Sequence, residues 1–117
     1  MIVVKVQPLG GVRACLALAD ELGLPITVSS ALESSVGIAA GVALAAALPE
    51  LPFACGLATV ALLTDDVAVE PLLPVAGRLP AGRPEVDPAA LERLAAPADR
   101  VEHWERRLAA VRQDQRS

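Results

Sequence analysis

Three short apolar stretches constrain this chain most: IVVKVQ at 2–7, ITVSS at 26–30 and FACGLAT at 53–59, starting 24 and about 27 residues apart. Each has the length and β-branched or apolar content of a buried strand. Two segments of helical character separate them. In the first, Val12, Leu16, Ala19 and Leu22, with Cys15 and Leu18 alongside, recur every three or four residues, while Arg13, Asp20 and Glu21 point outward. Gly23 ends that helix and Pro25 follows it. The second, residues 36 to 48, is a run of 13 uncharged apolar or glycine residues, which predicts a buried helix capped by Ser34 or Ser35 and stopped by Pro49. Strand-helix-strand-helix-strand with such short connections calls for an α/β fold of three parallel strands joined by right-handed crossovers.

The pattern changes near residue 65. Residues 65 to 88 are rich in proline and hold EPLLPV as one short extended piece, which predicts a wrapping segment or a short β-excursion. A short helix is expected over 88–96. A last helix is marked by an apolar face of Val101, Trp104, Leu108 and Val111, with Arg and Glu on the solvated side. Residues 1–64 thus read as one unit of βα repeats and 65–117 as the segment that follows it. Three parallel strands with two helices leave two sheet edges open and too little cover for both faces. Ile2 already reads as mid-strand, so the chain is expected to be the end of something larger.

Charge and side-chain chemistry exclude several functions. The net charge of −4 resides in residues 1–66, where Lys5 and Arg13 stand against six acids; the remainder is balanced. Nucleic-acid binding needs clustered positive charge and aromatic stacking platforms, and the chain has one Trp, one Phe and no Tyr. Neither apolar run, 36–48 or 51–63, reaches the roughly 18–20 residues that cross a bilayer, so no membrane partner is expected. Cys15 and Cys55, in ACLAL and FACGL, read as small buried thiols in a reducing cytoplasm. No Walker loop, Ser-His-Asp order or metal-spaced His/Asp/Glu set is present, and His103 beside Trp104 reads as structural.

The candidate site residues sit at the strand ends. Lys5 is the single lysine beside nine arginines, and it interrupts a run of valines. Side chains alternate along a strand, so Ile2, Val4 and Val6 share one face and Val3, Lys5 and Gln7 the other. Two readings of Lys5 are open. It extends its ammonium to water at a sheet edge, or it presents an amine to a site at the C-terminal ends of the strands, where α/β barrels place catalysis. SSALESSVG, 29–37, runs from the second strand into a helix N-terminus, where free N–H groups and hydroxyls suit an anion. Plain capping by Ser34 and Ser35 is the competing reading. Glu33 has no partner visible in the sequence, and Gly56 in CGLAT allows a close backbone approach.

Taken in order, Lys5, SSxxESSxG and GLxT resemble the o-succinylbenzoate synthase family of the enolase superfamily, in its muconate-lactonizing-like branch. The matching stretches are VVKVQPLGGV, GLPITVSSALESSVGIAAGVALAAALP and ACGLATVALLTDDV, covering about residues 2 to 67. The resemblance implies the C-terminal third of a (β/α)7β barrel of TIM type, holding its sixth to eighth strands. It implies a magnesium-dependent lyase that dehydrates a cyclohexadiene carboxylate to o-succinylbenzoate on the route to menaquinone. Lys5 matches the lysine that stabilises the enediolate, and Ser29, Ser30, Glu33 and Gly56 match positions lining the substrate pocket. The second-strand base lysine, the three acids that hold Mg2+ and the capping domain match nothing in this chain. The chain alone is therefore expected to be inactive and to require the missing N-terminal part of the barrel. An N-acylamino acid racemase or dipeptide epimerase of the same superfamily is the nearest alternative, and a non-catalytic half-barrel the alternative of another class.

Overall fold

The computed structural model describes residues 1–114. Strand β1 (Ile2–Lys5) and strand β2 (Ile26–Ser29) pair in parallel, in the register Ile2↔Ile26 through Lys5↔Ser29. The crossover between them is helix α1 (Val12–Leu22), and helix α2 (Ser35–Ala47) follows β2. The expected alternation holds: Val4, Val6, Ile26 and Val28 are buried, whereas Val3 and Lys5 are exposed. β1 stops at Lys5 because the chain turns there. The carbonyl of Lys5 accepts from Leu9 N at 3.4 Å and that of Val6 from Gly11 N at 2.9 Å. Gly10 and Gly11, at φ 88° and 118°, make a turn that a β-carbon would strain.

Both helices end as their sequences dictate. Gly23 adopts the left-handed conformation (φ 58°, ψ 25°) and its N–H returns to Ala19 O at 3.0 Å, satisfying an end carbonyl of α1. Leu48 is extended (ψ 138°) because Pro49 disfavours helical geometry in the residue before it. Ile38, Val42, Leu44 and Ala45 of α2 pack with Cys15 of α1 and the valines of the sheet to form the core. Gly41 lets α2 come close to Leu57: a β-carbon there would lie 2.6 Å from Leu57 Cδ2.

The third strand expected over 53–59 does not form. Its place beside β2 is taken by a single parallel bridge, Ser29↔Gly56, in which Gly56 N donates to Val28 O (2.8 Å) and Ser30 N to Gly56 O (2.9 Å). Residues Thr59–Leu62 then coil into a 3-10 turn. A strand gains most of its stability from neighbours on its edge and faces, and among the described residues this one has only β2. The sheet therefore has two strands, and one of its faces is bare.

Beyond residue 64 the chain holds isolated antiparallel bridges, Ala68↔Val86 and Val75↔Arg78, matching the expected excursion. The short helix α3 (Pro88–Arg93) begins with Asp87 Oδ1 accepting from Ala89 N at 2.9 Å and with Pro88 in its first turn. Helix α4 (Ala98–Asp114) buries none of its residues, and its apolar stripe lies open. The radius of gyration, 16.0 Å, exceeds the roughly 13 Å of a compact 100-residue domain. No helix among the described residues is long and apolar enough to cross a membrane.

Candidate functional site

Parallel pairing brings three of the expected residues onto one surface. Partners in a ladder share a face, so the register Lys5↔Ser29 and the bridge Ser29↔Gly56 set Lys5, Ser29 and Gly56 side by side at the C-terminal ends of the strands. All lie on the face that α1 and α2 do not cover. The Lys5 side chain is exposed, and its ammonium makes no hydrogen bond or ion pair among the described residues. The valines beside it, Val4 and Val6, pack on the opposite face, so here its amine is solvated rather than enclosed. A β-carbon on Gly56 would sit 3.1 Å from Ser29 Oγ, and the glycine leaves that hydroxyl on the open surface.

Ser30 faces the other way. It is buried, its Oγ donates to Gly56 O at 2.8 Å, and it accepts from Thr59 Oγ1 at 2.8 Å. Its hydroxyl ties the 56–59 segment to the end of β2. Ser29 and Ser30 thus divide the work of the pair: one hydroxyl toward the open surface, the other inward.

Between Ser30 and α2 runs a short loop with Leu32 at φ 72°, a conformation that costs energy in a non-glycine residue. Glu33 supports it. Its Oε1 accepts from Ala31 N at 2.7 Å, a backbone partner two residues back that the sequence did not make visible. Its Oε2 is buried and unpaired. Gly37 makes room for this side chain: a β-carbon there would stand 2.4 Å from Glu33 Cβ and 2.8 Å from its Cγ. Gln7, which follows Lys5 by two residues, donates through Nε2 to Gly37 O at 3.2 Å. The end of β1 and the start of α2 are thereby joined.

The expected serine caps are not what holds the start of α2. Ser34 occupies the N-cap position without a side-chain capping bond. Asp66, 31 residues away, supplies the cap instead: its Oδ1 accepts from Ser35 N at 3.1 Å, and its Oδ2 takes a very short bond from Ser35 Oγ. Ser35 is fully buried and also accepts from Leu72 N at 2.7 Å. Next to it, Asp65 forms an ion pair with Arg93 at 2.9 Å, and that guanidinium holds the Asp65 carboxyl below its ordinary pKa. Sequence reasoning missed Gly37, Thr59 and Asp66. The glycines of SSVGIAAG and the TDD after CGLAT were the signals available.

Cys15 is buried, which pushes its thiol pKa up, and Cys55 is half-buried; both are free. Among the described residues no group of three or more His, Cys, Asp or Glu is placed to hold a metal ion.

No family model matches the chain. Individual proteins do. Over 112 residues it is 62% identical to an o-succinylbenzoate synthase of Thermobifida fusca, a match covering 96% of this chain and 34% of that protein. It is 54% identical over 102 residues to the o-succinylbenzoate synthase of Mycobacterium leprae, with 87% and 30% covered. The Mycobacterium tuberculosis protein of that name is 53% identical over 108 residues, with 92% and 33% covered. The chain spans about a third of the length of these curated relatives.

Proposed function

Since the chain belongs, over the third of their length that it spans, to the o-succinylbenzoate synthase family, we propose that it supplies one wall of that lyase's active site. The observation that carries this reading is the shared open face of Lys5, Ser29 and Gly56 at the strand ends. A catalytic face needs a body opposite it, and here that face is bare. In the proposed assembly, the remaining part of a (β/α)7β barrel and its capping domain close over these residues, and 65–114 is the segment after the barrel.

Lys5 then meets the carboxylate end of a cyclohexadiene carboxylate. Its ammonium stabilises the negative charge that builds on the carboxylate oxygens when a base elsewhere removes the α-proton. Loss of water from that enediolate gives the aromatic product, o-succinylbenzoate. A lysine suits the place because its charge is compact and its proton can be lent, which arginine's cannot. Ser29 and the Gly56 backbone border the pocket on this reading, and Glu33 stands at its rim.

The family implies Mg2+, a Lewis acid for the enediolate. The described residues do not fit such a centre, since they hold no group of three potential ligands. A base lysine is also absent, because Lys5 is the only one. We therefore propose that this chain turns over nothing by itself and works, in the cytoplasm, only with the part it lacks.

The test is an assay of the purified chain with the cyclohexadiene carboxylate and Mg2+, alone and mixed with a polypeptide matching the rest of the Thermobifida fusca relative. No turnover is expected alone, and turnover abolished by Lys5→Ala is expected in the mixture. Activity of the chain alone would overturn its incompleteness. Activity of the mixture unaffected by Lys5→Ala would overturn the role of Lys5, and faster racemisation of an N-acylamino acid would move the assignment to the racemase branch.

A further inference from the structure

The loop that carries Glu33 is held at two feet. At the first, Ser30 is fastened to Gly56 and Thr59. At the second, Ser35 is fastened to Asp66 and to Leu72 N. Between the feet, Leu32 has φ 72° and Glu33 keeps one oxygen buried and unpaired. Both features persist only where the surroundings over-determine the backbone. The first foot rests on residues next to β2. The second rests on a residue that belongs to another region of the chain, 31 residues on.

We propose that Asp66 is a positioning residue of the candidate site: acting through Ser35, it fixes the second foot of the 30–35 loop and so the Glu33 carboxylate. This rests on the reading of that face as a site. The geometry is specific to an aspartate. One carboxylate oxygen accepts from two backbone N–H groups, Ser35 at 3.1 Å and Val67 at 2.9 Å, while the other accepts from the Ser35 hydroxyl. That hydroxyl, freed of its proton's demand, accepts from Leu72 N. The Asp66 N–H is itself taken by Asp65 Oδ1 at 2.9 Å, and Asp65 is bonded to Arg93 of α3. The segment after the 3-10 turn therefore works as a latch on the site loop. Without it, the strain at Leu32 has one anchor rather than two, and the Ala31–Glu33 bond opens.

Amide hydrogen exchange resolved by NMR tests this on the whole 117-residue chain, because the readout does not depend on turnover or on which substrate the site takes. In Asp66→Ala the amides of Ala31 and Ser35 are expected to exchange roughly tenfold to a hundredfold faster, while those of Thr27 and Val28 in β2 keep their wild-type rates. Ser35→Ala, which keeps the backbone bond to Asp66, should give a smaller acceleration at Ala31, and it remains informative if Asp66→Ala does not fold. Asp66→Asn retains an oxygen for the two N–H groups but loses the acceptor of the Ser35 hydroxyl, and it is expected to accelerate exchange at Ala31 and Ser35 less than Asp66→Ala does. Unchanged exchange at Ala31 in both Ser35→Ala and Asp66→Ala would overturn the proposal. So would acceleration spread equally over Ala31, Thr27 and Val28, which would mark Asp66 as a general support of the fold.

Discussion

Residues 2–60 and residues 65–114 differ in what they do with their apolar side chains. In the first region Val4, Val28, Ile38 and Leu44 are each no more than 2% exposed and lie in one cluster. In the second, Val101, Trp104, Leu108 and Val111 are between 42% and 54% exposed on a helix with no buried residue. Yet both regions hold well-patterned helices. The pattern that makes a helix amphipathic does not supply the surface it needs to cover. For the amphipathic α1 that surface is α2, close by in the chain. For α4 no described element provides it. The first region accordingly carries the fold, and the second is fastened to it at Ser35, which bonds Asp66 and accepts from Leu72 N.

The contrast can be broken where it is strongest. Leu44→Ala removes a fully buried side chain from the core, and a loss of about 2–5 kcal/mol is expected in urea unfolding. A loss under roughly 0.5 kcal/mol would mean that the core of the first region is not what stabilises the chain. A weaker effect is expected inside the second region, next to Asp66. Because the Arg93 guanidinium lowers the folded-state pKa of Asp65, the pair stabilises the fold above the carboxyl's ordinary pKa, and that contribution disappears as pH falls through the lowered value. Arg93→Gln should move the Asp65 carboxyl resonance to a higher titration midpoint, with only a slight change in melting, since both groups are exposed to solvent. An unmoved midpoint would show that the contact is not kept in solution. The smallest effect belongs to α4: Leu108→Ala is expected to leave urea unfolding within about 0.5 kcal/mol of wild type. A larger loss would show that the stripe is covered, and the contrast between the regions would collapse.

Local chemistry was legible in the sequence, and distant partners were not. The alternation in IVVK, the stop at Gly23 and the break at Pro49 each depend on a few neighbouring residues, and each is found where the pattern put it. FACGLAT has the composition of a strand, but a strand is defined by what pairs with it, and only Gly56 finds β2. The same limit applies to the start of α2. Ser34 and Ser35 have the right residue type for capping, while the bond that forms comes from Asp66, which no local rule singles out. At the candidate site, Lys5 and Ser29 lie at the ends of β1 and β2, for which period two and parallel pairing suffice, whereas Gly56 joins them through a single bridge and not at the end of the strand expected there. It did not foresee that Ser30 turns inward or that Gly37 seats Glu33, since both depend on contacts across a helix start.

The exposure of Lys5 has a practical side. Apart from the α-amino group, this side chain is the one primary amine in the chain, and it stands in solvent at the end of β1. Once the α-amino group is blocked, an amine-directed reagent therefore labels the strand end at a unique position. A spectroscopic tag or cross-linker placed there becomes a sensor of whatever closes over the bare face.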